Sequence, residues 1–166
     1  MDVGMALALS GAGMAALLSG IGSSMGINIS SRAATSILSE KPERYGQFFV
    51  MVVLPGTQGF YGFLAAFMTM LRLGFFGGTG RIEVSTTLGL QVLAACIPVA
   101  FAGLVTAIYQ GKVAAAGILM AAKRPEMAFK AGVVYAVMVE IYAILGLLTT
   151  LFILQFGISW PQAAAA

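Results

Sequence analysis

Four long stretches of this chain carry almost no charge, and that pattern constrains the fold more than any other feature. Residues 3–31, 45–71 and 84–111 contain no Asp, Glu, Lys or Arg, and residues 131–166 contain one, Glu140. A helix needs about 20 apolar residues to cross the hydrocarbon of a bilayer. Each stretch is long enough for one crossing and too short for two with a turn between. The chain is 60% hydrophobic and 9% charged over 166 residues, whereas soluble domains carry roughly 25% charged residues. It therefore reads as a small all-α membrane protein with four transmembrane helices and no room for a separate soluble domain. The opening Met1-Asp2-Val3-Gly4 lacks the basic region of a cleaved signal peptide. Val3 onward is expected as a retained transmembrane helix.

Composition excludes several chemistries. Histidine is absent, which removes His-based metal sites, His general bases and Ser-His-Asp triads. The single cysteine, Cys96, cannot form an intramolecular disulfide. Inside an apolar run it reads as a small packing residue. No G-x-x-x-x-G-K-[ST] loop is present to cradle phosphates, so the chain is not expected to hydrolyse ATP. A net charge of +3 bears on membrane topology rather than on nucleic-acid binding.

The connections repeat. Ser39-Glu40-Lys41-Pro42-Glu43-Arg44 is a polar turn with Pro42 placed to open the next helix. Lys123-Arg124-Pro125-Glu126 echoes it, and Gly77-Gly78-Thr79-Gly80-Arg81 is a loop between the two. With an offset of 83, residues 20–43 align without gaps on 103–126: Gly20 falls on Gly103, Ala33 on Ala116, Pro42 on Pro125 and Glu43 on Glu126. Further on, Tyr61-Gly62-Phe63 aligns on Leu145-Gly146-Leu147 with an offset of 84. The chain thus divides into a first helical hairpin, 1–76, a connecting loop, 77–86, and a second hairpin, 87–166. Two-helix repeats keep the same orientation in the membrane, so the duplication is a parallel one.

Of the nine basic residues, seven lie in or near the hairpin turns: Arg32, Lys41, Arg44, Lys112, Lys123, Arg124 and Lys130. Only Arg72 and Arg81 flank the middle loop. The positive-inside rule places the hairpin turns in the cytoplasm and both termini and the middle loop outside. Trp160 then falls where an interfacial aromatic anchor belongs. The first and third helices are rich in Gly and Ala, the second and fourth in Phe and other bulky residues. Small residues let backbones approach closely in lipid, so the first and third are expected as a tightly packed inner pair.

Glu140 is the feature this scaffold has to accommodate. A lone ionised carboxylate in hydrocarbon costs several kcal/mol, so it needs a partner, a proton or a bound cation. The bland alternative is a protonated carboxyl that merely joins two helices. The duplication is asymmetric here, because Gly56 occupies the corresponding position of the first hairpin. Polar groups cluster elsewhere at mid-span. Leu54, Thr57, Gln58 and Tyr61 follow the i, i+3, i+4, i+7 spacing of one helical face. Pro55 disturbs the turn before it, and irregular backbone at membrane depth can present carbonyls to Na⁺. Gln110 adds a mid-membrane amide on the third helix. Each polar residue alone would read as interhelical glue. Together they offer hydroxyl, amide and carbonyl oxygens around one carboxylate, with Tyr61 able to donate its proton to Glu140.

Three segments carry a resemblance: Leu54-Pro55-Gly56-Thr57-Gln58-Gly59-Phe60-Tyr61-Gly62-Phe63, Gln110-Gly111-Lys112-Val113-Ala114-Ala115-Ala116-Gly117 and Val139-Glu140-Ile141-Tyr142-Ala143-Ile144-Leu145-Gly146. With the duplicated hairpins they resemble the rotor-ring proteolipids of V-type ATPases, most of all the sodium-pumping bacterial type, subunit K. The resemblance implies a homo-oligomeric ring of identical protomers turning in a bacterial plasma membrane against a stator subunit, with central-stalk subunits as further partners. It implies Na⁺ as the transported ion, with no organic cofactor. The implied ligands are the Glu140 carboxylate, the Thr57 hydroxyl, the Gln58 and Gln110 side-chain oxygens and the Leu54 backbone carbonyl, with Tyr61 hydrogen-bonded to Glu140. Two other readings stand beside it: a proton-carrying rotor of the same build, and a small four-helix secondary transporter with Glu140 as substrate site.

Overall fold

The computed structural model describes residues 2–76 and 82–161. The Gly-rich centre of the middle loop, with Thr79 and Arg81, and the tail 162–166 lie outside the described residues. Among the described residues, four helices are long and apolar enough to cross a membrane: α1 (Val3–Leu38), α2 (Pro42–Arg72), α3 (Thr86–Lys123) and α4 (Ala128–Gly157).

Local chemistry sets their ends. Pro42 opens a 3₁₀ turn, Pro42–Arg44, that runs directly into the α-helical part of α2; its missing N–H would have had no helical partner there. Gly74 closes α2 with φ of 78°, a left-handed conformation that suits a residue without Cβ. Ser85 starts α3 by accepting the Leu88 N–H at 3.2 Å. Two helices are irregular inside. α2 is broken by a 3₁₀ turn at Leu54–Gly56, and α4 begins and ends with π turns, Ala128–Val133 and Ile153–Gly157. The proline-induced break was legible in Pro55, but nothing in the residues of α4 announced its π turns.

α1 and α3 form the central contact, and their backbones touch along most of their length. A Cβ built on Gly22 would lie 2.6 Å from Leu104 Cα, and one on Gly111 would lie 2.6 Å from Gly26 Cα. No side chain fits at that distance, so glycine is required on both sides. α2 packs mainly on α1 and α4 mainly on α3, while α2 and α4 touch less. Their bulky residues, among them Phe60, Phe63, Phe152 and Phe156, project outward and are exposed on the protomer.

Both hairpin turns lie at one end of the bundle. Arg44 Nη1 donates to the carbonyls of Ala121 and Ala122 at 3.0 and 3.2 Å, and Gln47 Nε2 donates to Pro125 O at 2.9 Å. At the other end the start of α1 meets Val84 and Ser85, and Leu154, Ile158 and Trp160 join the same apolar cluster. Trp160 is half-buried and its indole N–H donates to Leu154 O at 2.7 Å, so the ring seals the π-helical end of α4. Cys96 is fully buried, with its sulfur 3.8 Å from Thr69 Oγ1. A second proline, Pro98, sits inside α3. Thr150 Oγ1 accepts the neighbouring Val99 N–H at 3.1 Å, a buried repair with no sign in the sequence pattern.

Two apolar layers flank the polar mid-section. One contains Phe48, Met51, Ala114, Ile118 and Ala136, on the side of the turns. The other contains Ala15, Ala65, Cys96, Val99 and Leu147. On α2, α3 and α4 the polar residues named above fall between these two layers in sequence.

Candidate functional site

Glu140 lies in the straight α-helical part of α4 and is 9% exposed. Both of its oxygens accept hydrogen bonds. Tyr61 donates its hydroxyl to Oε1 at 2.5 Å, and Gln110 Nε2 reaches Oε2 at 3.5 Å. Donor contacts to a carboxylate are among the stronger hydrogen bonds, and the short Tyr61 contact is of that kind. Among the described residues no Lys or Arg forms an ion pair with Glu140; the one ion pair, Arg124 with Glu126, lies in the second hairpin turn. A carboxylate in a membrane-spanning bundle is thus met within its own protomer by neutral donors.

The network continues away from Glu140. Gln110 and Gln58 are fully buried. Gln110 Nε2 also donates to Ala136 O at 3.0 Å, and Gln110 Oε1 accepts from Gln58 Nε2 at 2.5 Å. Oxygen and nitrogen of an amide are assigned from their partners. Here Ala136 O can only accept, so the atom facing it must be the NH₂ group. The Gln110 oxygen therefore faces Gln58, and its amide nitrogen faces Glu140. Gln58 Oε1 in turn lies 3.4 Å from Thr57 Oγ1, which donates to Leu54 O at 2.9 Å.

All six residues picked out in the sequence are thereby joined in one network. It runs from the Leu54 carbonyl through Thr57, Gln58 and Gln110 to Glu140, with Tyr61 closing the far side. Leu54 O, Thr57 Oγ1 and Gln58 Oε1 form a tight cluster of oxygens, with neighbouring separations of 2.9 and 3.4 Å. Oxygens held at about 2.4 Å from a cation the size of Ca²⁺ or Na⁺ stand about 3.4 Å apart at right angles. The 3₁₀ turn at Leu54–Gly56 is what directs the Leu54 carbonyl to Thr57.

The charge count is informative. No group of three or more His, Cys, Asp or Glu side chains comes together among the described residues. One carboxylate can be neutralised by one positive charge, so the arrangement suits H⁺ or a monovalent cation rather than Ca²⁺ or Zn²⁺. The corresponding position of the first hairpin is apolar. A Cβ on Gly56 would lie 3.2 Å from Ile27 Cδ1. Ile27 in turn is the residue that the offset of 83 places on Gln110. Both halves of the polar pair are therefore missing there.

Two further polar groups, with no signal in the sequence pattern, also surround the site. Ser23 Oγ accepts the Gly59 N–H at 2.8 Å, and Ser30 Oγ lies 3.3 Å from Val52 O. Both serines are buried on α1. Serine in a small-residue helix usually bonds its own backbone, so its spacing alone does not disclose contacts with α2.

Two stretches of the chain, residues 10–69 and 93–153, each match the ATP synthase C-subunit family. The stretches begin 83 residues apart and end 84 apart, which are the two offsets of the internal duplication. The chain is 46% identical over 143 residues to the V-type sodium ATPase subunit K of Enterococcus hirae, covering 86% of each protein. It is 39% identical over 147 residues to the A-type ATP synthase subunit K of Methanocaldococcus jannaschii, covering 89% of this chain and 62% of that one.

Proposed function

The chain belongs to the ATP synthase C-subunit family, and from that premise we propose that it is the membrane rotor proteolipid of a V-type ATPase that carries Na⁺ on Glu140. The Enterococcus hirae relative, matched over most of both chains, is named as a sodium ATPase subunit. The observation that carries the choice of ion is the Leu54–Thr57–Gln58 oxygen cluster joined through Gln110 to Glu140. A proton carrier needs only a desolvated carboxyl. A Na⁺ carrier must replace a hydration shell with several oxygens, and buried hydroxyls and amides without such a task are costly. The proposed ligands are the Glu140 carboxylate, Thr57 Oγ1, Gln58 Oε1 and the Leu54 carbonyl, with Gln110 Oε1 as a fifth oxygen on the Gln58 side. Tyr61 holds the carboxylate by its hydroxyl.

The mechanism follows from charge. With Na⁺ bound, Glu140 is neutral overall and can face lipid. Emptied, it is anionic and must stay beside a compensating cation of the stator. Tyr61 and Gln110 keep the emptied carboxylate oriented for the next ion. Identical protomers form the ring, and other ATPase subunits supply the stator, the stalk and the hydrolysis of ATP. The chain is a multi-pass protein of a bacterial plasma membrane. Its units are the hairpins 1–76 and 87–166, joined by 77–86, and each hairpin contains one of the two family matches.

Competition tests the ion. Carbodiimide attacks a protonated carboxyl, so labelling of Glu140 in the assembled ring should fall as Na⁺ is added near neutral pH. The protection should weaken as pH drops, because protons then win the site. Labelling that is unchanged from millimolar to molar Na⁺ would transfer the reading to a proton rotor.

Orientation rests on the seven basic residues in or near the turns; the fold brings the two turns themselves to one end. Cysteines at Lys41 and Lys123 should react with an impermeant maleimide only from the cytoplasmic side. One at Thr79 should react only from outside. The reverse pattern would show that the charge bias does not set the topology here.

A further inference from the structure

The broken turn of α2 is held from outside by α1. The α-helical part before the break ends at Val53, and the part after it starts at Thr57. The last carbonyls of one helical segment and the first N–H groups of the next lack partners in their own segment. Gly59 is the third residue after the restart. Its N–H is donated to Ser23 Oγ at 2.8 Å. Val52 lies next to the end of the first segment, and its carbonyl has Ser30 Oγ at 3.3 Å. The Ser30 proton also faces Gly26 O and Ile27 O, at 3.1 and 3.2 Å, so this contact is the weaker of the two.

Between the serines lies Gly26. A Cβ there would come within 2.7 Å of Pro55 Cβ, so only glycine leaves room for the proline ring. Ser23, Gly26 and Ser30 share one face of α1, at i, i+3 and i+7. That face matches the break point by point: a cap on each side and a gap for the ring between.

The duplication provides an internal comparison. The offsets of 83 and 84 place Thr106, Tyr109 and Val113 on Ser23, Gly26 and Ser30, and Val139 on Pro55. The second hairpin has neither the proline nor the cradle. Thr106 Oγ1 is bonded to Ala102 O of its own helix at 2.6 Å. Proline and cradle thus occur together in one hairpin and are absent together in the other.

We propose that Ser23, assisted by Ser30 and seated by Gly26, is a positioning residue for Na⁺ binding: by capping Gly59 it fixes the 3₁₀ turn that aims the Leu54 carbonyl, Thr57 and Gln58 at the ion. It touches neither Glu140 nor the proposed ligands, and it rests on the Na⁺ reading given above. Losing the cap loosens the ligand turn and leaves the Tyr61–Glu140 contact in place. Na⁺ affinity should therefore fall while protonation of Glu140 is unaffected.

The test compares Ser23→Ala with Ser19→Ala in the assembled ring. Ser19 is an equally buried serine of α1, but it bonds Val99 O on α3 at 3.1 Å, away from the break. The Na⁺ concentration that halves carbodiimide labelling of Glu140 should rise about threefold to tenfold in Ser23→Ala. It should stay at the wild-type value in Ser19→Ala. The pH dependence of labelling without Na⁺ should be the same in all three rings. An unchanged Na⁺ midpoint in Ser23→Ala overturns the proposal, and so does an equal shift in Ser19→Ala. If Ser23→Ala fails to assemble, Ser23→Cys keeps the side-chain shape with a slightly larger atom that is a weaker acceptor. An intermediate shift then supports the proposal and no shift overturns it. A wild-type ring that Na⁺ does not protect removes the Na⁺ reading itself and this role with it, a result distinct from normal wild-type protection with an indifferent Ser23.

Discussion

Glu140→Gln should leave a ring that assembles and does not transport. The amide is neutral and nearly the size of the carboxylic acid, so insertion of α4 is no harder than in the wild type. Its oxygen can still accept the Tyr61 hydroxyl, the shorter of the two contacts that Glu140 makes. The longer contact, from Gln110, is lost as donor meets donor, but Gln110 keeps Ala136 O and Gln58 as partners. The structural cost is therefore confined to one 3.5 Å contact. The functional cost is complete, because a group that cannot alternate between charged and neutralised states cannot couple ion loading to rotation. Native mass spectrometry in mild detergent should give the wild-type ring mass. Na⁺ uptake by the reconstituted ATPase should fall to background. Normal uptake by a correctly assembled Glu140→Gln ring would remove Glu140 from the mechanism. The same mass measurement bears on the transporter alternative, since a monomer or dimer would not be a rotor.

Much of the scaffold was legible because membrane helices obey simple rules. Charge-free runs marked the four spans, and Pro42 marked the start of α2. Glycines spaced along α1 and α3 marked the helices whose backbones meet. The candidate site was legible for a similar reason: a carboxylate at mid-span and a polar face on α2 are costly and hence conspicuous. Which groups bond which was not legible. The resemblance implied the Gln110 side-chain oxygen as an ion ligand but not which way the amide is turned. Ala136 O sets the amide so that its nitrogen faces Glu140 and its oxygen faces Gln58. Ser23 and Ser30 gave no warning, because serine is small enough to pass as part of a close-packed helix face, and its partners lie on another helix. The π turn that opens α4 has no residue signature of its own, unlike the proline-broken turn in α2.

Gln110→Ala should have the largest effect on ion affinity of any change outside Glu140 itself. Gln110 is fully buried and serves three partners. It donates to Ala136 O at 3.0 Å and to Glu140 Oε2 at 3.5 Å, and it accepts from Gln58 Nε2 at 2.5 Å. Truncation to alanine leaves the Gln58 amide and the Ala136 carbonyl without this partner in a place with little or no water. An unsatisfied buried group costs about 1–3 kcal/mol. It also cuts the bridge that connects the α2 oxygens to the carboxylate on α4. Part of the cost falls on the empty ring and part on the loaded one, and only the difference appears as affinity. A loss of about 1.4–2.8 kcal/mol corresponds to a tenfold to hundredfold rise in the Na⁺ needed to protect Glu140 from carbodiimide. Thr57→Val supplies the scale. It keeps the side-chain shape and removes one hydroxyl that serves Leu54 O and Gln58 Oε1, so about a tenfold rise is expected. Labelling at low pH without Na⁺ should remain in both variants, because protonation of Glu140 needs none of these oxygens. If both rings are protected at the wild-type Na⁺ concentration, the α2 oxygens and Gln110 are structural glue, and Glu140 binds its ion without them.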